Sequence, residues 1–259
     1  MEQVLIATDL YVHNQTNHIV FVNIVWLVEC GRAESGNSGR ARSATAKKGF
    51  TLGYSLQYRQ AVWVAYTLTA ENLQAKQVRR RDQFRADPEV KNHPVHPKDY
   101  IRSGFDKGHL APAADMTYSF GSMSDSFFMT NISPQIPGCN RGIWKRLENQ
   151  VRRWAVKEGK IYIITGPIFS KKPTVMKTAT IPVPVAFYKV ILDLTPQMKM
   201  IGFIVPNQTS KRRIASFAVS VDEVERITGY DFFSTLDDEL ETNLEKSYNW
   251  NLWQKEDVK

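Results

Sequence analysis

The stretch FDKGHLAP, residues 105–112, determines how the rest of this chain is interpreted. It contains His109 directly after Gly108, and a glycine permits backbone turns that other residues resist. Because imidazole titrates near neutral pH, His109 is a candidate general base for the activation of water. The neighbouring Lys107 is a candidate contact for phosphate. Taken alone, however, a single histidine in a turn is more often structural or solvent-exposed.

Two further segments follow closely, TNISPQ at residues 130–135 and NRGIWKRLE at residues 140–148. They supply the amide side chains of Asn131 and Asn140 and the carboxylate of Glu148. Cleavage of a phosphodiester requires a base for water, a metal for the developing charge and cations for the phosphate. The segments together contain residues suited to each of these tasks, so they indicate phosphodiester chemistry.

Apolar residues at spacings of three and four predict one amphipathic helix over residues 140–158, ended by Gly159. On such a helix Asn140 and Glu148 are about 80° apart around the axis and about 12 Å apart along it. That separation disfavours direct chelation of one ion by both side chains. A hydrated Mg²⁺ near Asn140, with Glu148 contacting one of its waters, fits better because Mg²⁺ prefers oxygen ligands and loses water reluctantly.

Each of these residues also has a simpler explanation. Asn140 suits an ordinary helix N-cap. Glu148 has Arg152 four residues ahead and Lys145 three residues behind, which is the spacing of a surface ion pair. The arginines at residues 79–81 are compatible with a solvated charge run.

The remaining pattern predicts strands separated by a few helices. Residues 50–57 and 61–69 predict a hairpin, and residues 71–100 predict a loop. Further strands are predicted at residues 161–165, 185–194 and 199–205, with a turn at 195–197 and a last helix at 221–228. This order predicts an α+β domain with a central, mostly antiparallel sheet flanked by helices.

Composition limits the class of protein. The chain has 259 residues, of which 42% are hydrophobic and 23% charged, so one folded domain with appendages is expected. The 34 Lys and Arg against 26 Asp and Glu give a net charge of +8, which favours a polyanionic partner. No run reaches the roughly 18 apolar residues that a membrane span needs, so we expect no membrane span.

The N-terminal part differs in composition from the rest. Residues 1–30 are strand-forming, and their start is acidic rather than basic, unlike a signal peptide. Residues 31–49 are rich in Gly, Ser, Ala and basic residues, which is typical of a linker. The sequence therefore predicts an N-terminal appendage and linker at 1–48 and a main domain at 49–259.

Residues 106–112 resemble the DRGH signature of the DNA/RNA non-specific endonuclease family. The resemblance covers roughly residues 49–236 and continues through segments 63–66, 80–87, 130–135, 140–148, 164–167 and 221–229. A DxGH tetrapeptide alone is a weak signal, but several motifs in the family's order are specific.

The resemblance implies a ββα-metal nuclease fold and a role for each motif residue. His109 would activate water, and Asn140 would be the direct protein ligand of Mg²⁺, for which Mn²⁺ can substitute. Glu148 would hold a metal-bound water, and Asn131 would support the site from close by.

The cations are less firmly assigned by the resemblance. Arg80 matches the family's phosphate-stabilising arginine, although a shift by one residue would give that place to Arg79 or Arg81. Lys107 stands where the family usually has arginine, and lysine keeps the charge but loses the bidentate fork.

The resemblance implies an endonuclease that hydrolyses DNA and RNA with little sequence preference, leaving 5′-phosphate and 3′-hydroxyl ends. Besides nucleic acid, we consider an inhibitor protein or a second copy of the chain as partners. Because such a nuclease endangers its own cytoplasm, either export to the periplasm or medium or inhibition is compatible with this activity; no clear signal peptide decides between them, so the localisation stays open. Two alternatives stay open: a nucleic-acid-binding protein with little catalysis, and an interaction or toxin-delivery module docked through residues 1–48.

Overall fold

The computed structural model describes residues 11–13, 19–21, 28–30, 44–75 and 77–254. The strands are β1 (Tyr11–His13), β2 (Ile19–Phe21), β3 (Val28–Cys30), β4 (Ala44–Lys47), β5 (Phe50–Ser55), β6 (Gln60–Thr69), β7 (Asp106–His109), β8 (Ile132–Gln135), β9 (Lys160–Ile168), β10 (Ala186–Asp193), β11 (Lys199–Pro206), β12 (Ala218–Val219) and β13 (Tyr230–Phe232). The α-helices are α1 (Ala70–Ala75), α2 (Phe120–Ser126), α3 (Lys145–Glu158), α4 (Val221–Thr228), α5 (Asp238–Glu245) and α6 (Trp250–Gln254).

A seven-stranded sheet forms the centre of the described part of the chain, in the order β12-β11-β10-β9-β6-β5-β4. All of its strand pairs are antiparallel. The hairpin of β5 and β6, the strands β9 to β11 and helix α4 lie where the sequence predicts them. The predicted α+β class with a central antiparallel sheet flanked by helices is therefore confirmed.

The two faces of this sheet bury different helices, because successive side chains of a strand point to opposite faces. On one face, the strands contribute alternate residues that pack against Leu147, Val151 and Trp154 of α3. On the other face, the intervening residues pack against Val221 and Val224 of α4. Full burial of each of these large apolar side chains stabilises the fold by about 1.5–3 kcal/mol.

The chain leaves the sheet after β6 and returns at β9, and β6 and β9 are neighbours in the sheet. In between it forms the antiparallel ribbon of β7 and β8, with His109 paired to Ile132, and then helix α3. This ββα excursion carries most of the residues that the sequence singles out, and α3 anchors it to the core.

The helix predicted over residues 140–158 is confirmed at Lys145–Glu158, with its end before Gly159, but its first part at residues 140–144 is wrong. A π-helical turn, Cys139–Trp144, precedes α3, and Gly142 within it has φ −104° and ψ −108°, outside the helical region. Nothing lies within 4 Å of the place where a Cβ would stand on Gly142, and a glycine adopts such a backbone at little cost. The separation of about 80° and 12 Å between Asn140 and Glu148 assumed a regular helix, so it does not apply.

Two stretches without predicted structure contain short elements. The predicted loop at 71–100 includes most of α1, at whose start Thr69 Oγ1 accepts a hydrogen bond from the backbone of Asn72 at 3.1 Å, and a 3₁₀ turn at Pro97–Tyr100. Within the predicted linker, β4 is an edge strand paired with β5. Composition does not predict α1 or β4, because a side-chain cap supplies a hydrogen bond to α1 and the neighbouring strand β5 supplies those of β4.

The boundary predicted between residues 48 and 49 stays a prediction. Upstream of it, β1 pairs with β2, and β3 pairs with β13 from the C-terminal part of the chain. Among the described residues, no helix combines the length and the apolar character needed to cross a bilayer.

Candidate active site

A cavity of about 360 Å³ opens beside the ββα excursion. Five of the residues predicted from the sequence line it: Arg80, Lys107, His109, Asn140 and Glu148. The other lining residues are Pro112, Ala113, Ala114, Arg141, Lys145 and Arg152. The cavity therefore combines one imidazole, oxygen-bearing side chains and several cations, which is the set of groups that phosphate chemistry requires.

His109 closes strand β7 and is 8% exposed. Its ring packs against Phe84 and Phe127, at centroid distances of 5.4 and 5.1 Å. Among the described residues, Nε2 of His109 has no hydrogen-bond partner. Burial, aided by the charge of Arg80, lowers the pKa of His109 to about 3. The imidazole is therefore neutral at pH 7 and keeps a lone pair with which to accept a proton.

The glycine before this histidine is required by a close approach of Gln135. A Cβ on Gly108 would lie 2.3 Å from the side chain of Gln135, which belongs to the opposite strand of the ribbon. Any larger residue at position 108 would have to displace that buried glutamine. The glycine of the DxGH segment thus lets the two strands meet beside His109.

Asp106 ties strand β7 to the π-helical turn. Its Oδ2 accepts hydrogen bonds from Nδ2 of Asn140 at 2.9 Å and Nε of Arg141 at 2.8 Å, and its Oδ1 accepts from Nη2 of Arg141 at 2.6 Å. Burial alone would raise the pKa of Asp106, but the hydrogen bonds from Arg141 and Asn140 outweigh it and lower the pKa. Because Asp106 holds the amide nitrogen of Asn140, the amide oxygen is the atom that can face a cation. Asn140 is therefore not an N-cap.

Glu148 lies in the first turn of α3 and contributes to the cavity. Among the described residues it forms no ion pair, so the surface pair with Lys145 or Arg152 is wrong. Arg152 instead donates to Oδ1 of Asp115 at 2.6 Å. Burial raises the pKa of Glu148 to about 7, and Asp115 adds to the rise, whereas Lys189 and Arg152 oppose it.

Lys189 is a buried cation behind the site that sequence reasoning missed. It is 1% exposed on β10, between Phe187 and Ile191 on the face that packs against α3. Its Nζ has no hydrogen-bond partner in the described part of the chain and lies 5.0 Å from the ring centroid of Trp144. Burial lowers the pKa of Lys189 to about 8, and Glu148 is the strongest opposing influence. In the sequence, Lys189 could have been noticed as a charged residue at a position of an apolar strand whose side chain points into the core.

Arg152 is a second residue that the sequence did not assign to the site. Asp115, which is 2% exposed, accepts the hydrogen bond from Arg152 on one oxygen and one from the hydroxyl of Tyr66, at 2.9 Å, on the other. The buried carboxylate therefore holds the guanidinium at the wall of the cavity. The four-residue spacing between Glu148 and Arg152 suggested a surface ion pair. Spacing within one helix cannot show that Arg152 pairs with Asp115, which is distant in the sequence.

The predicted cations lie at the cavity wall. Arg80 donates through Nε to Asp82 at 2.7 Å, and its guanidinium carbon lies 5.5 Å from the ring centroid of Phe127. Nζ of Lys107 lies 4.9 Å from the ring centroid of Phe84. Of the three consecutive arginines, Arg80 is the one among the lining residues.

Asn131 is placed differently from the other predicted residues. It is fully buried and is not among the residues that line the cavity. Its Oδ1 accepts from the backbone N–H of Ala111, and its Nδ2 donates to the carbonyls of Ala111 and Ser126, each at 2.9 Å. It therefore holds the loop that follows His109 rather than presenting a group to the cavity.

The donor set suits a hard divalent cation. The amide oxygen of Asn140 and the carboxylate of Glu148 belong to one cavity, and no cysteine lines it. Mg²⁺ and Mn²⁺ prefer oxygen ligands, whereas zinc and softer metals favour thiolate and imidazole. The residues present therefore fit the cation that the sequence predicts.

Comparison with known proteins gives one consistent family. The sequence profile described as DNA/RNA non-specific endonuclease matches residues 32–239. Nuclease C1 of Cunninghamella echinulata var. echinulata is 35% identical over 219 residues, which cover 78% of this chain and 87% of that protein. Human mitochondrial endonuclease G is 31% identical over 199 residues, covering 71% of this chain and 67% of the human protein.

A solved structure of the EndoG/EndoGI complex, described as explaining EndoG inhibition, is also similar. It superimposes with a TM-score of 0.69 at 30% sequence identity, covering 75% of this chain and 86% of the solved chain. The likeness therefore extends from the motifs to the arrangement of the sheet and helices.

Proposed function

This chain belongs to the DNA/RNA non-specific endonuclease family, and on that premise we propose that it hydrolyses DNA and RNA with Mg²⁺ at the cavity around His109. It is a metal-dependent nuclease with the ββα-metal fold. The observation that carries the proposal is that Nε2 of His109, which has no partner among the described residues, shares a cavity with Asn140 and Glu148.

His109 acts as the general base. Its Nε2 accepts a proton from water, which attacks phosphorus in line with the leaving 3′-oxygen. The bond between phosphorus and the 3′-oxygen breaks. The phosphate stays on the 5′ side as a 5′-phosphate, and the released 3′-oxygen takes up a proton to become a 3′-hydroxyl. Enclosure by phenyl rings keeps the ring neutral before the reaction, and the negative charge of a bound phosphate offsets the effect of Arg80 on its pKa.

Asn140 would hold the metal through its amide oxygen, and Glu148 would hold one of the metal's waters. When bound, the cation supplies Lewis-acid stabilisation of the charge that develops on phosphate. Asp106 acts as a positioning residue, because its hydrogen bond sets the orientation of the Asn140 amide. Asn131 positions the loop after His109 in the same sense.

Arg80, Lys107 and Arg152 contact the phosphates of the substrate. Contacts to phosphate and sugar carry no direct sequence information, so cleavage shows little sequence preference. Tolerance of both sugars is what membership in the family implies. Manganese is expected to replace magnesium, because it accepts the same oxygen ligands.

The test is nicking of a supercoiled plasmid and cleavage of an RNA in EDTA and across a series of Mg²⁺, Mn²⁺ and Ca²⁺ concentrations. The wild type is expected to be inactive in EDTA and active on both substrates with Mg²⁺ or Mn²⁺. Asn140→Ala should need more metal for half-maximal rate, and the exposed Asn92→Ala serves as the matched control. Labelling of the product ends shows which end carries the phosphate.

Activity that survives EDTA would contradict metal dependence, and an unchanged metal requirement in Asn140→Ala would contradict the ligand assignment. Binding without cleavage in every metal would favour the alternative of a nucleic-acid-binding protein. An inhibitor protein, which the EndoG of the similar complex has, and a second copy of the chain are the proposed protein partners. Export from the cytoplasm, as an alternative to inhibition, remains a prediction.

A further inference from the structure

A second group of oxygen ligands lies outside the catalytic cavity, where α4 meets α5. Asp222 and Glu225 belong to α4 and Glu245 ends α5. One carboxylate oxygen from each of the three lies within 4.8 Å of the others. None of these residues lines the catalytic cavity.

Glu245 is the unusual member of this acidic cluster. The residue is 5% exposed, and its Oε1 has no hydrogen-bond partner in the part of the chain that the structure describes. An ionised carboxylate that is buried without a partner costs free energy, so a native structure pairs it, protonates it or binds it to a metal. Glu245 faces the other two carboxylates of the cluster, so it either shares a proton with one of them or lies beside a bound cation.

No described lysine or arginine neutralises the cluster. None of its three carboxylates has a cation within 4.0 Å among the described residues, and the nearby Arg226 is paired with Glu223 at 2.7 Å. Glu225 uses Oε1 to accept the backbone N–H of Phe232 at 2.6 Å, which fixes its carboxylate in place.

Electrostatics point the same way. Burial raises the pKa of Glu225 to about 7 and that of Glu245 to about 9. For Glu245, the neighbouring carboxylates of Glu225, Glu241, Asp222 and Asp231 raise the pKa further. Negative charges held together in this way form the environment in which a bound cation is most stabilising.

We propose that Asp222, Glu225 and Glu245 bind a hard divalent cation, with Ca²⁺ as the best match, at a structural site separate from the active site. Ca²⁺ takes carboxylate oxygens at 2.3–2.6 Å, so ligands on its opposite sides are about 4.6–5.2 Å apart. The three oxygens all lie within 4.8 Å of one another, so one such ion can contact all of them. Ca²⁺ is a better match than Mg²⁺ because it accepts carboxylates in flexible geometry, whereas Mg²⁺ demands near-ideal octahedral geometry and keeps several waters.

The site has a structural consequence. Strand β13 lies between α4 and α5 along the chain, and Phe232 of β13 is hydrogen-bonded to a ligand carboxylate. A cation bound here joins the two helices and the strand that pairs with β3. It stabilises the folded chain by mass action, because the unfolded chain does not hold three carboxylates together.

The experiment is thermal unfolding of the full chain in EDTA and in excess Ca²⁺, for the wild type, Asp222→Asn and Glu245→Gln. Glu223→Gln is the matched control, because it removes a carboxylate from the same helix outside the cluster. Ca²⁺ is expected to raise the Tm of the wild type and of Glu223→Gln clearly more than the Tm of the two cluster variants. Calcium bound in the active site contributes equally to all four proteins, so the comparison isolates the cluster.

In EDTA above pH 9, where Glu245 has lost its proton, Asp222→Asn and Glu245→Gln are expected to melt above the wild type, because each removes repulsion. Calorimetric titration with Ca²⁺ should show a loss of affinity of at least about tenfold in Asp222→Asn, the low end for removing even an outer-shell partner of a metal. Nuclease activity with Mg²⁺ should be unchanged in Asp222→Asn.

Three outcomes would overturn the site. The first is a wild-type Tm that does not respond to Ca²⁺. The second is a Ca²⁺-dependent rise of equal size in Asp222→Asn and Glu245→Gln. The third is loss of the rise in Glu223→Gln as well, which would indicate general screening of acidic charge instead of a bound ion.

Discussion

At the scale of the residue, burial decides the chemistry of His109. Two phenyl rings enclose the imidazole and disfavour its charged form, so it is neutral at the pH at which a base must accept a proton. Burial also disfavours the charged form of Glu148, which raises the pKa of its carboxyl group, while Lys189 behind it favours ionisation. Burial thus lowers the pKa of the imidazole and raises that of the carboxyl group in the same cavity.

His109→Ala is expected to lower the single-turnover rate of DNA cleavage by about 10²–10⁴-fold, the usual contribution of a general base. Binding of DNA should be nearly intact, because the imidazole is neutral and contributes little attraction. The control is His93→Asn, which replaces an exposed histidine at positive φ by a residue that tolerates that backbone. Turnover at the wild-type rate in His109→Ala would remove the histidine from the mechanism.

Arg80→Ala is expected to weaken binding of unrelated duplexes alike and to flatten the log–log salt dependence of binding by about one unit, the effect of losing one phosphate contact. It should also slow cleavage at saturating substrate, if the guanidinium stabilises charge in the transition state. Arg79→Ala is the matched control, since Arg79 does not line the cavity. An unchanged salt slope, or a defect confined to one sequence, would refute a phosphate contact at Arg80.

Lys107→Arg is expected to keep or raise the cleavage rate, because arginine restores the bidentate fork that the family usually has at this place. The measurement compares the cleavage rate of Lys107→Arg at saturating DNA with that of the wild type. A large loss of rate would show that the packing of Lys107 beside Phe84 matters more than the fork.

At the scale of the element, the site depends on the joint between β7 and the turn that precedes α3. Asp106 bridges the two elements through Asn140 and Arg141. The break at Gly142 places Asn140 before α3 and Glu148 within it, so both reach one cavity although no regular helix connects them. Departures from α-helical geometry of this kind often mark functional sites.

Asp106→Ala is expected to raise the Mg²⁺ concentration for half-maximal cleavage by about 10–100-fold, the usual effect of losing an outer-shell partner of a metal ligand. Arg141→Ala is the control, because it breaks the exposed ion pair and leaves the hydrogen bond between Asp106 and Asn140. Both variants lose this ion pair, whose arginine is exposed and which contributes about 0–1 kcal/mol, so the pair itself does not distinguish them. Equal metal requirements in both would mean that Asp106 does not position Asn140.

At the scale of the whole molecule, charge is divided between two places. Cations line the catalytic cavity, and carboxylates gather where α4 meets α5. The central sheet separates the two, because α3 packs on one of its faces and α4 on the other. The basic side suits a polyanionic substrate, and the acidic side changes the response of the fold to pH.

In EDTA, the free energy of unfolding is expected to fall as the pH rises from about 5 to 9. Glu225 and Glu245 have folded pKa values of about 7 and 9, above the ordinary 4.5. The folded state therefore binds their protons more tightly, and this stabilisation is complete below pH 4.5 and lost as the pH passes the folded values. Denaturant titrations across this range should show a shallower fall for Glu245→Gln; parallel curves would contradict the pKa shift of Glu245.

Strands β5, β6 and β9 to β11, helix α4 and the family of the chain were all predictable from the sequence. Strand alternation and helix spacing are local patterns, so they are readable without a fold. His109, Asn140 and Glu148 were found in another way, from motifs in the order of a known family, and their catalytic roles stay predictions until the variants are measured.

Only the tertiary structure decided what surrounds these residues. Lys189 reaches the back of the site because β10 joins the sheet beside β9 and its odd-numbered side chains face α3. Arg152 turns to Asp115, and Glu245 meets Asp222, through packing between elements that are distant in sequence. Such contacts depend on strand order and on how helices dock, and the periodicity of a single segment contains neither.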